Sequence, residues 1–408
     1  MGEYADFLQQ PVAFDAETIG RLSKGETEIV RADDLVSRHE LFDAIRHQLL
    51  RIEALASVMV EGISVTYADL ALMESFSCAS PLPAKTPRAL YRRASKLNLP
   101  DPAGTVSALC YMGAIEWIAG NVAQGTTLDN ASFREIFSRY NENEIERLRA
   151  IHAEERSAAL DEDEPIAPTL DKIKRKKMDA YMEFLNSDLF MPSAQAELSH
   201  AMLQSIGLGQ VRLDGYERAM SHAIFYRRGL LTRSVAPLAV GPVIDIEHHA
   251  SSMYRNMEKV FKVAGKPAIS QFDFGDVAFC TAASARMMKA CTKSLEIIDR
   301  QWSSQLGVEG KRNTVRLLLR LFLKWGYLTI DFAAKEMGRS FSMTSSSMKK
   351  LVDAGVVKEM GHAQKSRLYC AYDVMALFET LLGRVSSCVA TTRDEALAKI
   401  EQAGQPCP

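Results

Sequence analysis

The chain has 408 residues, 49 Lys+Arg against 51 Asp+Glu, and 47% hydrophobic residues. That length supports two or three full cores, and the apolar and charged fractions are those of an ordinary globular protein. Seven cysteines without a CxxC pair point away from a disulfide framework or zinc finger and suit a reducing cytoplasm.

The start at Met1 lacks the basic stretch and apolar run of a signal peptide. No stretch approaches the roughly 20 apolar residues that span a bilayer. A soluble cytoplasmic protein with no membrane contact is therefore expected. The formal net charge of −2 speaks against nucleic acid, but it is an average. From Lys311 to Arg367 there are twelve Lys/Arg and four Asp/Glu, a local net of +8. A basic stripe confined to one region is an electrostatic footprint for phosphate.

Residues 1–35 show no clear period and are expected to be half-ordered. From Ser37, apolar residues Leu41, Ile45, Leu49, Ile52, Leu55, Ala56 and Met59 recur at helical spacing. Thr66 is a good cap for a helix over Tyr67–Phe76. Ser80 to Pro87 reads as a linker, followed by a helix over 88–97. Pro100 and Pro102 interrupt the pattern before a very apolar helix, Thr105–Val122. Helical signal continues from Ser132 to about Ala159, then breaks at an acidic loop, Asp161–Pro165. Further helices are predicted over Leu170–Leu185, Pro192–Ile206, Asp214–Gly229 and Ile246–Ala264. After loop-like stretches at Gly265–Pro267 and Phe272–Gly275 comes a long helix, Asp276–Gln305. The last element is Thr391–Ala403. Glu247, His248 and His249 are adjacent on a helix and point about 100° apart, so they read as surface, with no metal ligands expected.

The run from Arg316 to Leu382 has its own order. A first helix, Arg316–Trp325, turns Leu317, Leu318, Leu321 and Phe322 inward. Thr329 caps a second, Ile330–Met337, that ends at Gly338. A third, about Ser342 to Ala354, carries Met343, Ser347, Met348 and Leu351 on one face and stops at Gly355. Strands Val356–Met360 and Leu368–Ala371 flank a basic loop. Helix, helix, tight turn, helix and hairpin make a winged helix–turn–helix, whose third helix enters the major groove by its N-terminal end. Arg339, Ser342, Thr344, Ser345 and Ser346 occupy that end, Lys349 and Lys350 lie one turn on, and Lys365 and Arg367 sit on the wing. These nine are the candidate contacts to double-stranded DNA, mostly to phosphate. Without Asn or Gln on the helix, base discrimination is modest and a homodimer would help.

Four stretches resemble the Fic family of adenylyl-transfer proteins. Glu53 to Gly62, with Ser57, Glu61 and Gly62, resembles the family's inhibitory helix. Met182–Asn186 followed by Ala194–Ala201 looks like the helices before the catalytic loop. Leu213-Asp214-Gly215-Tyr216-Glu217-Arg218 resembles part of the active-site motif. Gly361–Tyr369 looks like the wing that follows many Fic domains. The chain is also similar to a family of rhizobial plasmid proteins that end in a helix–turn–helix.

The resemblance implies a catalytically degenerate site. Aligned on Asp214-Gly215, Gln210 takes the place of the family's catalytic His, and an amide is no general base near neutral pH. Tyr216 and Glu217 replace the Asn and second Gly, so a carboxylate stands where backbone N–H groups would cradle phosphates. Ser221 replaces the final Arg, the expected partner of Glu61, leaving Arg218 or Arg212 as substitutes. A shifted register from His222 to Gly229 and Arg233 keeps too little of the motif. His200 reads as a packed helical residue.

The expected protein is mainly α, a degenerate Fic-like body followed by the winged helix–turn–helix. Its segments are 1–85, 86–310, 311–385 and a tail, 386–408. The expected function is DNA-binding regulation, with no cofactor and the body serving dimerisation or an effector or protein partner. Two alternatives stay open: a divergent Fic-type nucleotidyl transferase and an antitoxin-like protein-interaction scaffold.

Overall fold

A computed structural model describes residues 14–77, 86–140, 172–206, 214–261, 274–308, 313–363, 366–387 and 392–403. The predicted linker at 80–85, the acidic loop and most of the Gly265–Gly275 stretch lie outside these residues. The described chain is mainly α, with one small sheet. No described helix is long and apolar enough to cross a membrane.

Helix α1, Ala16–Ser37, is the first departure from expectation. Asp15 caps it by accepting from Thr18 N at 2.8 Å. Its buried face is Leu22, Gly25, Ile29, Ala32, Asp33 and Val36. That face is helically spaced, but Gly25 and Asp33 are silent in an apolar count. Helix α2 (Phe42–Val60) is buried along most of its length. Helix α3, Tyr67–Ser77, starts at Thr66, whose hydroxyl accepts from Asp69 N at 3.0 Å. Helix α4 is Pro87–Lys96 and α5 is Pro102–Asn121. Pro102 does not interrupt α5 but opens it, behind an Asp101 cap, because the first turn has no use for the missing N–H.

The body continues with α6 (Asn130–Tyr140), α7 (Lys172–Asn186), α8 (Pro192–Ile206) and α9 (Asp214–Arg227). A short α10, Val240–Ile244, precedes α11, Ile246–Phe261. The 32-residue α12, Gly275–Leu306, packs along α1 and ends on left-handed Gly307. Helix α10 comes so close to α12 that a Cβ at Gly241 would lie 2.6 Å from Cys280 Cα.

The C-terminal unit starts with α13, Thr314–Trp325. Gly326, at φ 73°, turns the chain into β1, Tyr327–Thr329. Thr329 caps α14, Ile330–Met337, and left-handed Gly338 closes it. Ser340 caps α15, Phe341–Asp353. Strands β2 (Lys358–Ala363) and β3 (Ser366–Cys370) form an antiparallel hairpin, and β1 joins it in the order β1-β3-β2. The sequence pattern omits β1, three residues long, and α16, Tyr372–Ser386. Helix α17, Arg393–Ala403, packs on α12 and α16.

The face of α13 differs from the expected one. Leu318 and Phe322 are buried as predicted, but so are Val315, Leu319 and Leu323, while Leu317 and Leu321 are half-buried. The five buried residues fall at i, i+3, i+4, i+7 and i+8, one helical stripe, and α13 packs against both α15 and the body helix α2. One hydrophobic core runs without a break from Leu22 to Ile400.

Polar groups reinforce that junction. Gln48 Nε2 donates to the carbonyls of Leu323 and Lys324 at 2.6 and 3.0 Å. Arg51, fully buried, donates to Tyr67 Oη at 2.9 Å and to the Trp325 carbonyl at 3.0 Å, and its Nε pairs with Glu74. These bonds satisfy carbonyls at the end of α13 that have no partner within the helix.

Candidate functional site

Three places concentrate polar chemistry. The first is the outward face of the C-terminal unit. Arg339, Ser342, Ser346, Lys349, Lys350 and Arg367 are exposed there, and Ser345 is half-buried. Thr344 is not a surface residue. It is fully buried, and its hydroxyl donates to the Ser340 carbonyl at 3.0 Å. On α15 its position faces the core beside Ser347 and Met348, so it reaches no partner outside the chain. Lys365 lies outside the described residues. Met343, expected to face inward, is instead 48% exposed beside Phe341 at 54%.

The local charge excess is partly consumed by the fold. Arg316 pairs with Asp299 at 2.6 Å and Arg320 with Glu40 at 2.7 Å, both on the body side. Arg367 sits 3.5 Å from Glu359. Arg339, just before α15, and Lys349 and Lys350, more than two turns along it and close to its C-terminal end, remain on the outward face.

The second place is the polar interior of the body. Arg218, on α9, donates to Ser57 Oγ at 2.8 Å, to the Ser57 carbonyl at 3.1 Å and to Glu61 Oε1 at 2.7 Å. Ser57, in the last turn of α2, and Glu61, its C-cap residue, are one turn apart, so one guanidinium spans both. Tyr140 Oη also donates to Glu61, at 3.3 Å. A Cβ at Gly215 would lie 2.3 Å from Tyr140 Oη, so any larger residue there makes the Tyr140 ring shift. Deeper in, Glu53 accepts from Tyr111 Oη at 2.8 Å and from Ala239 N at 2.8 Å, with His222 Nε2 at 3.0 Å. His222 is fully buried, and its Nδ1 makes no hydrogen bond among the described residues.

The arginine that meets Glu61 is thus Arg218, one turn before Ser221. Glu217 is buried and turned to His200 and Gln204. Burial opposes protonation of His200, but the adjacent Glu217 carboxylate outweighs it and holds the imidazole above its usual pKa of 6.5. Gly62 takes the left-handed φ of 78° after α2. Gln210 lies outside the described residues, as does the Asp214 side chain.

The third place escaped the sequence reading. His249 is buried, unlike exposed Glu247 and His248, and its Nδ1 lies 2.6 Å from Asp276 Oδ2. Cys280 Sγ is 3.9 Å from the same oxygen. Arg393 donates to Asp276 Oδ1 at 2.6 Å, to Asp245 at 3.1 Å and to the Gly275 carbonyl at 3.1 Å. Burial pushes the Asp276 carboxyl up, but the His249 hydrogen bond and the charges of His249 and Arg393 outweigh it and hold it below the usual range. Burial, reinforced by Asp276, pushes the Cys280 thiol well up. A cavity of about 60 Å³ opens between this group and the second place, with Glu197, His200, Arg218 and Ser221 also in its wall.

No family model and no curated protein matches the sequence. Among solved structures, the chain is similar to a Fic family protein from Desulfovibrio desulfuricans G20. The two are 12% identical with a TM-score of 0.40, over 88% of this chain and 98% of the other.

Proposed function

We propose that the C-terminal unit is a winged helix–turn–helix that binds double-stranded DNA, making the protein a transcriptional regulator. The observation that carries this is the outward face along α15, where Ser342, Ser346, Lys349 and Lys350, with Arg339 just before the helix, are all exposed. Helix, strand, helix, helix and hairpin in the order β1-β3-β2 leave α15 free to enter a major groove, with Arg367 on the hairpin in reach of phosphate. The body is read as a Fic-like helical platform for dimerisation or for an effector or protein partner. It grips the unit through Gln48, Arg51 and Asp299, the last paired with Arg316 of α13. A His222-based transferase is disfavoured, because that imidazole is sealed in the core against Glu53.

The test is binding to the protein's own upstream DNA across a salt series. Four phosphate contacts per subunit, from Arg339, Lys349, Lys350 and Arg367, give a log–log slope of about −3.6. Affinity then falls about 150-fold between 50 and 200 mM salt. Lys349→Ala/Lys350→Ala halves the slope and cuts that fall to about 12-fold. No binding to any upstream fragment at low salt overturns the reading. Exposed Phe341 and Met343 on the same face favour a second reading, a protein-docking surface, under which that salt-dependent affinity is absent.

A further inference from the structure

We propose that His249, Asp276 and Cys280 form a binding site for one zinc-class divalent metal ion, with its open position facing the cavity. The three donor atoms come from two elements. Asp276 and Cys280 are four residues apart on α12, so they share a face of that helix. His249 is delivered from α11. Nδ1, a carboxylate oxygen and Sγ all lie within 4.8 Å of one another, and all three residues are buried. Metal bonds of about 2.0–2.3 Å set tetrahedral donors roughly 3.3–3.6 Å apart. The His249–Asp276 pair at 2.6 Å therefore opens by less than an ångström, and the Cys280–Asp276 pair at 3.9 Å closes by less than half of one.

The donor chemistry selects the ion. One imidazole, one carboxylate and one thiolate suit zinc and its first-row neighbours, while magnesium and calcium call for oxygen alone. Charge balances as well: a carboxylate and a thiolate offset a divalent ion, and Asp245 offsets Arg393. Arg393 holds the second oxygen of Asp276, the outer contact that aims a ligating carboxylate. Three protein ligands leave a fourth position, as in metal sites that take water or a small ligand. The cavity of about 60 Å³ lies on that side, with Glu197 and His200 in its wall. The site stands apart from the DNA-binding surface, and neither depends on the other.

Cobalt(II) is the probe. The full-length protein, stripped with a chelator, is titrated with Co²⁺ in a reducing buffer, then with Zn²⁺ in competition. The expected result is one ion per chain and a thiolate-to-cobalt charge-transfer band that Zn²⁺ abolishes. Cys280→Ser removes the band, and Cys291→Ser, also buried on α12, keeps it. His249→Gln keeps a thiolate band but weakens binding at least about tenfold, the lower end for loss of even an outer partner. Circular dichroism checks that each variant folds, and if Cys280→Ser does not, His249→Gln decides. No band, a band that survives Cys280→Ser, or affinity unchanged in His249→Gln overturns the proposal.

Discussion

Replacing Arg51 by Met tests how the body holds the C-terminal unit. Arg51 and Glu74 are both wholly buried, and Arg51 also serves Tyr67 Oη and the Trp325 carbonyl. Methionine keeps most of the volume and removes the charge. Breaking one half of a buried ion pair costs about 3–5 kcal/mol, because the other half stays buried and uncompensated. The carboxylate itself gives a similar figure. Burial pushes Glu74 up, yet Arg51 and then His47 hold its pKa down to about 2 against an ordinary 4.5. A gap of that size is worth about 3 kcal/mol.

The sign with pH follows. A depressed carboxyl stabilises the fold fully above 4.5, and the benefit is lost as pH falls towards 2. Without Arg51, burial dominates and Glu74 binds a proton in the folded state, so the variant regains stability in acid. The assay is urea unfolding followed by tryptophan fluorescence at pH 7 and near pH 4. The expected deficit is about 3–5 kcal/mol at pH 7 and smaller at pH 4. Adding Glu74→Leu should recover most of it, since a pair of apolar residues can replace a buried ion pair at little cost. A deficit below about 1 kcal/mol at pH 7, or one that grows in acid, refutes the reasoning.

Gly241→Ala forces a Cβ to within 2.6 Å of Cys280 Cα. Helices α10 and α12 must part, and the urea midpoint should drop by the equivalent of about 1–3 kcal/mol. Glu217→Gln removes the partner that keeps the His200 pKa above 6.5. A raised histidine contributes fully below 6.5 and loses its contribution as pH rises through the folded value. The stability gap between wild type and Glu217→Gln should therefore be widest below 6.5 and shrink as pH rises through the raised folded pKa. A gap independent of pH would show that the ion pair is not what raises His200.

Elements with a local signature were legible in the sequence. Thr66, Thr329 and the Gly338 stop mark helix ends by chemistry that acts within a few residues. Helix α1 was not legible, because an apolar count ignores Gly25, where a Cβ would lie 3.3 Å from Thr281, and Asp33, which accepts from Thr232 and Ser234. Those are tertiary partners, and nothing near positions 25 and 33 announces them. The inward face of α13 was legible but misassigned: Val315, Leu318, Leu319, Phe322 and Leu323 fall at i, i+3, i+4, i+7 and i+8, one amphipathic stripe.

The site residues divide along the same line. Glu61 and Ser57 lie one turn apart, and the structure gives them one arginine. Motif register pointed to Ser221, but positions 218 and 221 share a helix face, so Arg218 fills the role from one turn earlier. For His248 and His249 the surface reading holds for exposed His248 and fails for His249, which is buried. Side chains about 100° apart cannot share a ligand, yet that same angle puts one outside and the other in the core. What makes His249 interesting is Asp276 and Cys280, 27 and 31 positions further along the chain. The i, i+4 spacing of that pair is visible in the sequence. That α11 delivers an imidazole to it is a consequence of packing, and only the fold displays it.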